Sequence, residues 1–544
     1  MMSRQTSLLL TFLSFFLFLS CPMSTRSIQY PEYCSKPDVM KSRFIPPVLS
    51  ETPLQLLQAH IIIRHGARTP YRDYFCWSYD GSIPPRGIEP WNCDGVSTIM
   101  APHNSSENGG DVGLLLFDKV YDALSPPVAN KLGGTCLTGQ LIQDGYEQEY
   151  VNGRILRETY IDTKKTFMQL FDSTRYSDRP YERSTRFRGD DQQRTLMSGQ
   201  TLVKSLFDVD TNGTNIIVPY HTADYPVDPI KPDTLICPKL TDLRDEAVKS
   251  DEYVARNFSE DVLVLENILS EDLGGGNWRN IMDCLMTQKC NKRSIPPILD
   301  DFKHDGDNSF FSRVAEHASW MLTYIYRHNN AAYSKLAMGP LWAEIFSFMS
   351  EMTAGGNGYG ARTLGDMKKK DIPVLLLYSG HDTTLMPILA TLGENVWDGT
   401  WSPYASMLVI ETYAVVEDDP KFPSTYAFRI IYNGEVLTPK IHGCDSDLCD
   451  YNFIKNMIEP FATWDRDCAS AKKITHPPSK ASTKQMKKTA SILVWVLATL
   501  FVCFVSSVFT ALYVTSYNCG SRKGLVRQNL QSYGATNDRE REIL

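Results

Sequence analysis

The heptapeptide Arg64-His65-Gly66-Ala67-Arg68-Thr69-Pro70 places two arginines and one histidine within five residues. A guanidinium is permanently charged, is costly to bury without an anionic partner, and matches the oxygens of phosphate or carboxylate. The two arginines therefore predict an anion-binding cradle in which His65 would meet the bound anion. A core histidine beside two surface arginines is the alternative interpretation, and the complete spacing R-H-G-x-R-x-P makes it the less favoured one.

The apolar run Ile61-Ile62-Ile63 comes directly before this heptapeptide. A short β-branched run that ends in a glycine-containing turn is typical of a buried strand. The sequence therefore predicts that Arg64, His65 and Arg68 lie in a loop at the carboxyl end of a strand.

A second strand-like run, Val374 to Tyr378, ends at a Ser-Gly pair and is followed by His381 and Asp382. The apolar stretch from Leu385 to Leu392 then has helical character. Ligands of open α/β sheets bind beyond the carboxyl ends of strands, so two strand ends can converge on one site. A bound anion favours the neutral form of a nearby carboxylic acid, which makes Asp382 a candidate proton donor. A helix N-cap is the alternative role for this residue.

A third segment, Arg186 to Gly199, is also rich in arginine. Arg188 would end a strand, and the residues from Asp191 onward have helical composition. Because it would lie at a strand-to-helix loop, Arg188 is the candidate for a third phosphate ligand. Arg183 and Arg186 are more typical of a charged surface.

Together these segments resemble the histidine acid phosphatases, the branch of the histidine phosphatase superfamily marked by RHGxRxP near the start and HD near the end. The resemblance covers roughly Leu54 to Cys468. The layout, from a signal peptide to one carboxyl-terminal span, looks like that of the membrane-bound lysosomal-type acid phosphatases. Further matching segments are Gly139-Gln140-Leu141 with Gly145 and Gln148, and Pro403-Tyr404-Ala405-Ser406.

The resemblance implies hydrolysis of phosphate monoesters through a phosphohistidine intermediate. This reaction is expected to need no metal or other cofactor, because cationic side chains can position and stabilise a phosphoryl group. His65 must be unprotonated to attack and Asp382 protonated to donate, and these opposing demands predict an acid pH optimum. The roles implied are nucleophile for His65, phosphate ligand for Arg64, Arg68, Arg188 and His381, and proton donor for Asp382.

Other functions remain open at this point. An inositol-polyphosphate phosphatase of the same superfamily would share the opening motif, but it would favour a wider and more basic pocket. A non-catalytic membrane receptor or adhesion ectodomain is a second alternative, although every proposed catalytic residue is present. The net charge of −8 does not suggest nucleic-acid binding through a basic surface. Phosphate monoesters are the expected partners, and a homodimer is left open.

The sequence predicts an α/β fold: a mixed-sheet core with helices on both faces, plus an inserted, mainly α-helical cap domain. The core would comprise residues 50–205 and 365–470, and the cap residues 206–364. Residues 71–138 form an insertion larger than the simplest acid phosphatases carry, and we expect it to shape access to the site.

Two apolar runs predict the membrane topology. Residues 8–19 follow Arg4 and are too few to span a bilayer, which is typical of a signal peptide, assigned to residues 1–24. Residues 490–515 carry no charge and are long enough to cross. We expect a single-pass type I membrane protein with a stalk (471–489), a transmembrane helix (490–515) and a cytoplasmic tail (516–544). The ectodomain would be lumenal, in endosomes or lysosomes, or extracellular.

Ten of the thirteen cysteines lie in the ectodomain, because Cys21, Cys503 and Cys519 belong to the signal region or to the span and its flank. An even number suits disulfides in an oxidising compartment. Cys444 and Cys449 are close enough in sequence for a local bond, and the resemblance implies a bond between Cys237 and Cys468.

One expected cysteine is absent from the sequence, and three sequons are present. Met407 stands where some relatives carry a cysteine, so Cys284 and Cys290 must be paired differently. Three sequons, at Asn104, Asn212 and Asn257, predict glycosylation.

Overall fold

The computed structural model describes residues 30–71, 90–94, 98–100, 117–124, 130–132, 134–171, 184–207, 218–224, 227–257, 259, 278–293, 310–356, 372–462 and 468. All of these residues belong to one compact unit, Met1–Ala469. A second unit, Ser470–Leu544, contains none of the described residues. The predicted signal peptide, stalk, transmembrane helix and tail lie outside the described residues, as do Asn104 and Asn212. None of the helices that are described is long and apolar enough to span a bilayer.

One mixed sheet forms the centre of the fold, and its strands run in the order β10-β8-β7-β1-β6-β4-β5. The pairs β1/β6, β6/β4 and β4/β5 are parallel, whereas β7 and the strands beyond it pair antiparallel. A ninth strand hydrogen-bonds to β8. The strands are β1 (Leu54–Arg64), β4 (Thr185–Gly189), β5 (Tyr220–His221), β6 (Leu375–Gly380), β7 (Met407–Val415), β8 (Tyr426–Tyr432), β9 (Glu435–Val436) and β10 (Cys449–Asp450), with β2 (Thr98–Met100) and β3 (Phe117–Lys119) forming a separate hairpin pair.

The helices pack on the sheet and on one another. The longest, α8, is interrupted at residues 328–331, where the backbone leaves the helical region. The helices are α1 (Tyr30–Cys34), α2 (Pro37–Lys41), α3 (Gln143–Tyr160), α4 (Gln193–Phe207), α5 (Lys239–Val248), α6 (Asp251–Asn257), α7 (Trp278–Cys290), α8 (Phe310–Gly356), α9 (Asp382–Thr391) and α10 (Tyr451–Ile458), and two short 3-10 helices cover Thr166–Met168 and Thr438–Lys440.

Two hydrophobic cores lie on the two faces of the sheet. Because successive strand residues point to opposite faces, Ile61 and Ile63 of β1 enter one core and Ile62 enters the other. The first core is closed by α3 and α4, and the second by α7, α8 and α9. The prediction of a mixed α/β sheet with helices on both faces is confirmed. Within the predicted cap, 206–364, the described residues are mostly helical, and the short strand β5 joins the main sheet.

Four disulfides join cysteines of the described residues. The structure contains both bonds expected from the sequence, Cys237–Cys468 and Cys444–Cys449. It also joins Cys34 to Cys290, so the end of α7 is tied to α1. The fourth bond, Cys93–Cys136, lies within the insertion that follows the heptapeptide. The third sequon residue, Asn257, is half-buried at the end of α6.

Candidate active site

Three neighbouring parallel strands end at the same edge of the sheet. The register pairs Arg64 of β1 with Gly380 of β6, and Gly189 of β4 with Ser379. The residue after β1, His65, donates its backbone N–H to the carbonyl of Gly380 at 3.0 Å. The chain therefore delivers the heptapeptide, the His381–Asp382 pair and the residue after β4 to one place, as expected for strand ends in an α/β sheet.

The loop after β1 lies tightly against the beginning of α3. A Cβ added to Gly66 would come within 2.6 Å of the Cα of Gly145, so neither position has room for a side chain. The side chain of Gln148 accepts the backbone N–H of Ala67 at 2.8 Å and donates to the carbonyl of Cys34, also at 2.8 Å. These contacts hold the histidine loop in a fixed position.

His65 is buried, with 2% of its surface exposed. Its Nδ1 donates to the carbonyl of Gly66 at 2.8 Å, and because a carbonyl only accepts, this contact leaves the lone pair on Nε2. Burial lowers the pKa of His65 well below its ordinary value, and the charges of Arg194, Arg68 and Arg64 lower it further. The imidazole therefore stays neutral, and Nε2 stays nucleophilic, in acidic solution.

Arg64 is enclosed on all sides, with only 1% of its surface exposed. Its guanidinium carbon lies 4.4 Å from the ring centroid of Tyr404 and 5.2 Å from that of Tyr33. One terminal nitrogen donates to the carbonyl of Ser402, and the other contacts the hydroxyl of Tyr33 and Asp382, each at 3.0 Å. Such aromatic and polar contacts fix the plane of the guanidinium.

Arg68 is anchored at one of its nitrogens. Its Nη1 contacts Asp283 of α7 at 2.7 Å and the carbonyl of Thr69 at 3.0 Å. In the part of the chain that the structure describes, the buried Nε–H groups of Arg64 and Arg68 have no hydrogen-bond partner. A buried donor without a partner costs about 1–3 kcal/mol, so these two N–H groups are suited to the oxygens of a bound anion.

Asp382 is the first residue of α9 and one partner of a buried ion pair. Its Oδ2 lies 3.0 Å from Arg64 and accepts the indole N–H of Trp401 at 2.8 Å. Burial acts to raise the pKa of Asp382, but the charges of Arg64 and Arg279 and the Trp401 hydrogen bond outweigh it and hold the pKa well below its ordinary value. Before an anion binds, the candidate proton donor is therefore a carboxylate.

His381 lies beside His65, with ring centroids 5.4 Å apart. Its Nε2 contacts Oδ2 of Asp190 at 2.7 Å, and Asp190 follows the end of β4. Burial lowers the pKa of His381, and the charge of Asp190 opposes that effect. Because a carboxylate accepts hydrogen bonds, this contact places a proton on Nε2 of His381. The partner of one ring nitrogen thus sets the role of the other, and Nδ1 is the nitrogen that Asp190 does not contact.

Arg188 has surroundings that differ from those expected for a phosphate ligand. Its guanidinium contacts Asp228 at 2.7 Å and Glu344 at 3.2 Å, so two carboxylates already hold it. The arginine that acts most strongly on His65 is instead Arg194. Arg188 occupies the strand position that the sequence indicated, but the alternation of strand residues turns it towards these carboxylates.

Arg194 was not identified from the sequence, although it lies in the same arginine-rich segment. It is the second residue of α4, and its charge also acts on Asp190 and His381. Ser198, one helical turn later, accepts the backbone N–H of Gly66 at 3.1 Å. Residues four apart share a helix face, so the helical register of this segment was the signal that could have identified Arg194. No group of three His, Cys, Asp or Glu side chains in the described ranges is arranged to hold a metal ion.

The chain is similar in sequence to known proteins of one superfamily. A family model described as the histidine phosphatase superfamily (branch 2) matches residues 55–433. Counting factor 60 of Dictyostelium discoideum is 25% identical over 77% of this chain and 88% of its own length. Lysosomal acid phosphatase of Bos taurus is 26% identical over 61% of this chain and 73% of its own length. Among solved structures, the phytase of Hafnia alvei in complex with myo-inositol hexakis sulphate aligns with 77% of this chain and 99% of its own, with 12% identity and a TM-score of 0.45.

Proposed function

Because the chain belongs to branch 2 of the histidine phosphatase superfamily, we propose that it is an acid phosphatase that hydrolyses phosphate monoesters through a phosphohistidine on His65. The observation that carries this proposal is the state of His65. Its Nδ1 donates to Gly66, which leaves the Nε2 lone pair available between Arg64 and Arg68. A neutral imidazole within a group of fixed cations is the arrangement that nucleophilic attack on a phosphate dianion requires.

In the first step, Nε2 of His65 attacks phosphorus, the N–P bond forms and the P–O bond to the leaving group breaks. The unpartnered Nε–H groups of Arg64 and Arg68 donate to the phosphate oxygens. Arg194 takes the third arginine position in place of Arg188. His381 donates to a further oxygen from Nδ1–H in its doubly protonated form, which the charges of Asp190 and of the bound phosphate favour. In the second step, water attacks the phosphohistidine and gives a proton to the carboxylate of Asp382, the N–P bond breaks, inorganic phosphate is released and neutral His65 is regenerated.

The leaving oxygen needs a proton, and the environment of Asp382 indicates where that proton comes from. Arg64 and Trp401 keep the pKa of Asp382 low before substrate binds. A phosphate monoester loses its second proton with a pKa of about 6, so below that pH the substrate carries a proton into the site. We propose that Asp382 accepts this proton as the substrate oxygens bind the arginines, and then transfers it to the leaving oxygen.

This proton route determines whether activity rises or falls with increasing pH. His65 remains neutral at acid pH, so acid does not remove the nucleophile. As the pH rises above about 6, the substrate becomes a dianion and the proton is lost. Activity should therefore be highest in acid and decline through neutrality.

The test is phosphate release from a small aryl phosphate at pH 5 and pH 8, with wild type compared with His65→Ala. We expect turnover at pH 5 that His65→Ala abolishes without a change in the melting temperature. Acid-labile, base-stable phosphate should be trapped on the wild-type protein after quenching. Activity of more than a few per cent in His65→Ala would contradict the assignment, and activity only with inositol polyphosphates would favour that alternative function.

We also propose that the ectodomain is lumenal or extracellular and is anchored by residues 490–515. The four disulfides seen among the described residues support an oxidising compartment. Carbonate extraction of membranes, with the full chain compared with a chain ending at residue 470, tests the anchor. Release of the full chain into the soluble fraction would contradict it.

A further inference from the structure

One face of helix α7 borders the catalytic cluster. Asp283 contacts Arg68, and Thr287 lies one turn further on with its Oγ1 3.5 Å from the hydroxyl of Tyr404. Arg279, one turn earlier, is among the charges that act on Asp382. Residues spaced by four share a helix face. The long segment between β5 and β6 therefore supplies a wall of the site, and its central residue there is a carboxylate.

Asp283 makes two strong contacts near the phosphate cradle. Its Oδ1 lies 2.7 Å from Nη1 of Arg68, and its Oδ2 accepts the backbone N–H of Tyr71 at 2.7 Å. The ring of Tyr71 in turn lies 5.6 Å from the guanidinium carbon of Arg194. The side chains of Arg68 and Asp283 are only 10% and 14% exposed, so solvent screens this pair weakly. One carboxylate thus links the end of the heptapeptide to α7 beside a second arginine.

The contact determines how the guanidinium of Arg68 is oriented. With Nη1 bound to Asp283 and to the carbonyl of Thr69, the plane of the group is fixed, and the buried Nε–H is directed away from both. A guanidinium is planar, so fixing one nitrogen by two contacts sets the direction of the others. The donor that remains can then meet an anion without reorientation.

Helix α7 is itself held firmly. Its last residue, Cys290, is bonded to Cys34 of α1. The preceding residue of α1, Tyr33, packs on Arg64 and accepts its hydrogen bond. A supporting residue is effective only when its own element is rigid. The disulfide therefore fixes the base from which Asp283 holds Arg68.

We propose that Asp283 is a positioning residue that orients Arg68 for phosphate binding, an inference that rests on the proposed phosphate-binding role of this site. Asp283 does not contact the substrate. Its carboxylate acts through Arg68, and it makes the inserted helix part of the machinery that binds the phosphoryl group. A competing interpretation is that Asp283 only neutralises Arg68 and so weakens anion binding.

The experiment measures the dissociation constant of inorganic phosphate by calorimetry on the purified full-length protein, together with kcat and KM for an aryl phosphate. The variants are Asp283→Ala, Asp283→Asn, Arg68→Ala and the double variant Asp283→Ala/Arg68→Ala. Asp162→Asn is the matched control, because Asp162 also binds an arginine, Arg157, at 2.8 Å but lies on the surface. Phosphate binding can be measured even if the protein hydrolyses no ester, so failure of the proposed function and failure of this inference are distinguishable.

Asp283→Ala should weaken phosphate binding and lower kcat/KM by about 10- to 100-fold, which is the usual effect of misplacing a binding group. The same change should have little further effect when Arg68 is already alanine. Asp283→Asn keeps an oxygen acceptor for Arg68 and should retain most of the affinity, and Asp162→Asn should match wild type. Phosphate binding that is unchanged or tighter in Asp283→Ala, or an equal loss in the Arg68→Ala background, would overturn the proposal. If Asp283→Ala does not fold, phosphate binding that is tighter than wild type in a folded Asp283→Asn would overturn it as well.

Discussion

Asp382 and Arg64 form a buried ion pair at 3.0 Å, although they come from the ends of two different parallel strands. In the proposed mechanism, the pair couples the proton donor, Asp382, to a phosphate ligand, Arg64. An anion that binds Arg64 shares the charge that otherwise keeps Asp382 ionised. Substrate binding should therefore favour the protonated form of Asp382, and several consequences can be measured.

The first prediction concerns the leaving group. Asp382→Ala should lower kcat/KM for an alkyl phosphate by about 10²–10⁴-fold, the usual contribution of general acid catalysis. The loss should be smaller for an activated aryl phosphate, whose leaving oxygen needs little protonation. Steady-state kinetics on the two substrates test this.

His381→Ala provides the comparison for that experiment. A contact with a phosphate oxygen acts on both substrates alike. His381→Ala should therefore lower kcat/KM for the alkyl phosphate and for the aryl phosphate by similar factors. If Asp382→Ala also lowers both equally, Asp382 has a structural role at the start of α9 instead of a role in proton transfer.

A second prediction separates two arginines of one segment. Arg194→Ala should lower kcat/KM for an aryl phosphate and weaken phosphate binding, because its charge acts directly on His65. Arg188→Ala should mainly lower stability, since it leaves the buried carboxylate of Asp228 without its cation, a change that typically costs about 3–5 kcal/mol. Kinetics and urea unfolding of both variants show which arginine binds phosphate and which one stabilises the fold. A larger loss of phosphate affinity in Arg188→Ala would restore that residue as the third ligand.

The third prediction compares two disulfides. In the chain-entropy account, a bond spanning 256 residues contributes about 5 kcal/mol and one spanning 5 residues about 2 kcal/mol. Replacing Cys34 and Cys290 with serine should therefore lower the melting temperature more than replacing Cys444 and Cys449. It should also lower kcat/KM, because Cys290 ends the helix that carries Asp283. Equal activities in the two double variants, at a temperature where both are folded, would contradict the link to α7.

The fourth prediction concerns acid stability. His60 is buried in β1, and burial lowers its pKa to about 3. Between pH 6.5 and 3 the unfolded chain therefore binds a proton that the folded chain excludes, so stability falls as the pH falls through this window. His60→Phe keeps an aromatic ring beside Tyr378 and removes this contribution, which is about 1.4 kcal/mol per pH unit. Urea unfolding at pH 7, 5 and 4 should give a shallower loss for the variant, and parallel losses would show that His60 is protonated in the folded state.

The sequence was most informative where chemistry and local pattern coincide. The runs before His65 and His381 predicted two strands, and β1 and β6 are neighbours that deliver both histidines to one edge. The mixed sheet and two disulfide pairs were also predicted. The two strands and the Cys444–Cys449 bond depend on short stretches of chain whose periodicity or spacing is visible in one sequence, whereas the Cys237–Cys468 bond was implied by the resemblance to the histidine acid phosphatases.

The remaining features depend on contacts that sequence spacing does not record. Arg194 was missed because the strand-to-helix boundary was placed without a helical register, and the alternation of strand residues turns Arg188 towards Asp228 and Glu344. Asp283 was missed because it meets Arg68 from a helix more than two hundred residues away in the chain. Nothing in its local sequence distinguishes it from a surface carboxylate.

Two arginines of the site each have a carboxylate partner: Arg64 has Asp382, and Arg68 has Asp283. His381 also contacts a carboxylate, that of Asp190. These carboxylates offset part of the positive charge of the site, so an anion is recognised more by the direction of the N–H groups than by net charge. Binding of phosphate should then depend only weakly on ionic strength, because salt screens net charge far more than it disturbs buried, oriented hydrogen bonds. A site of this kind would discriminate tetrahedral oxyanions from chloride, which is abundant in the lumenal or extracellular fluid that we propose for the ectodomain.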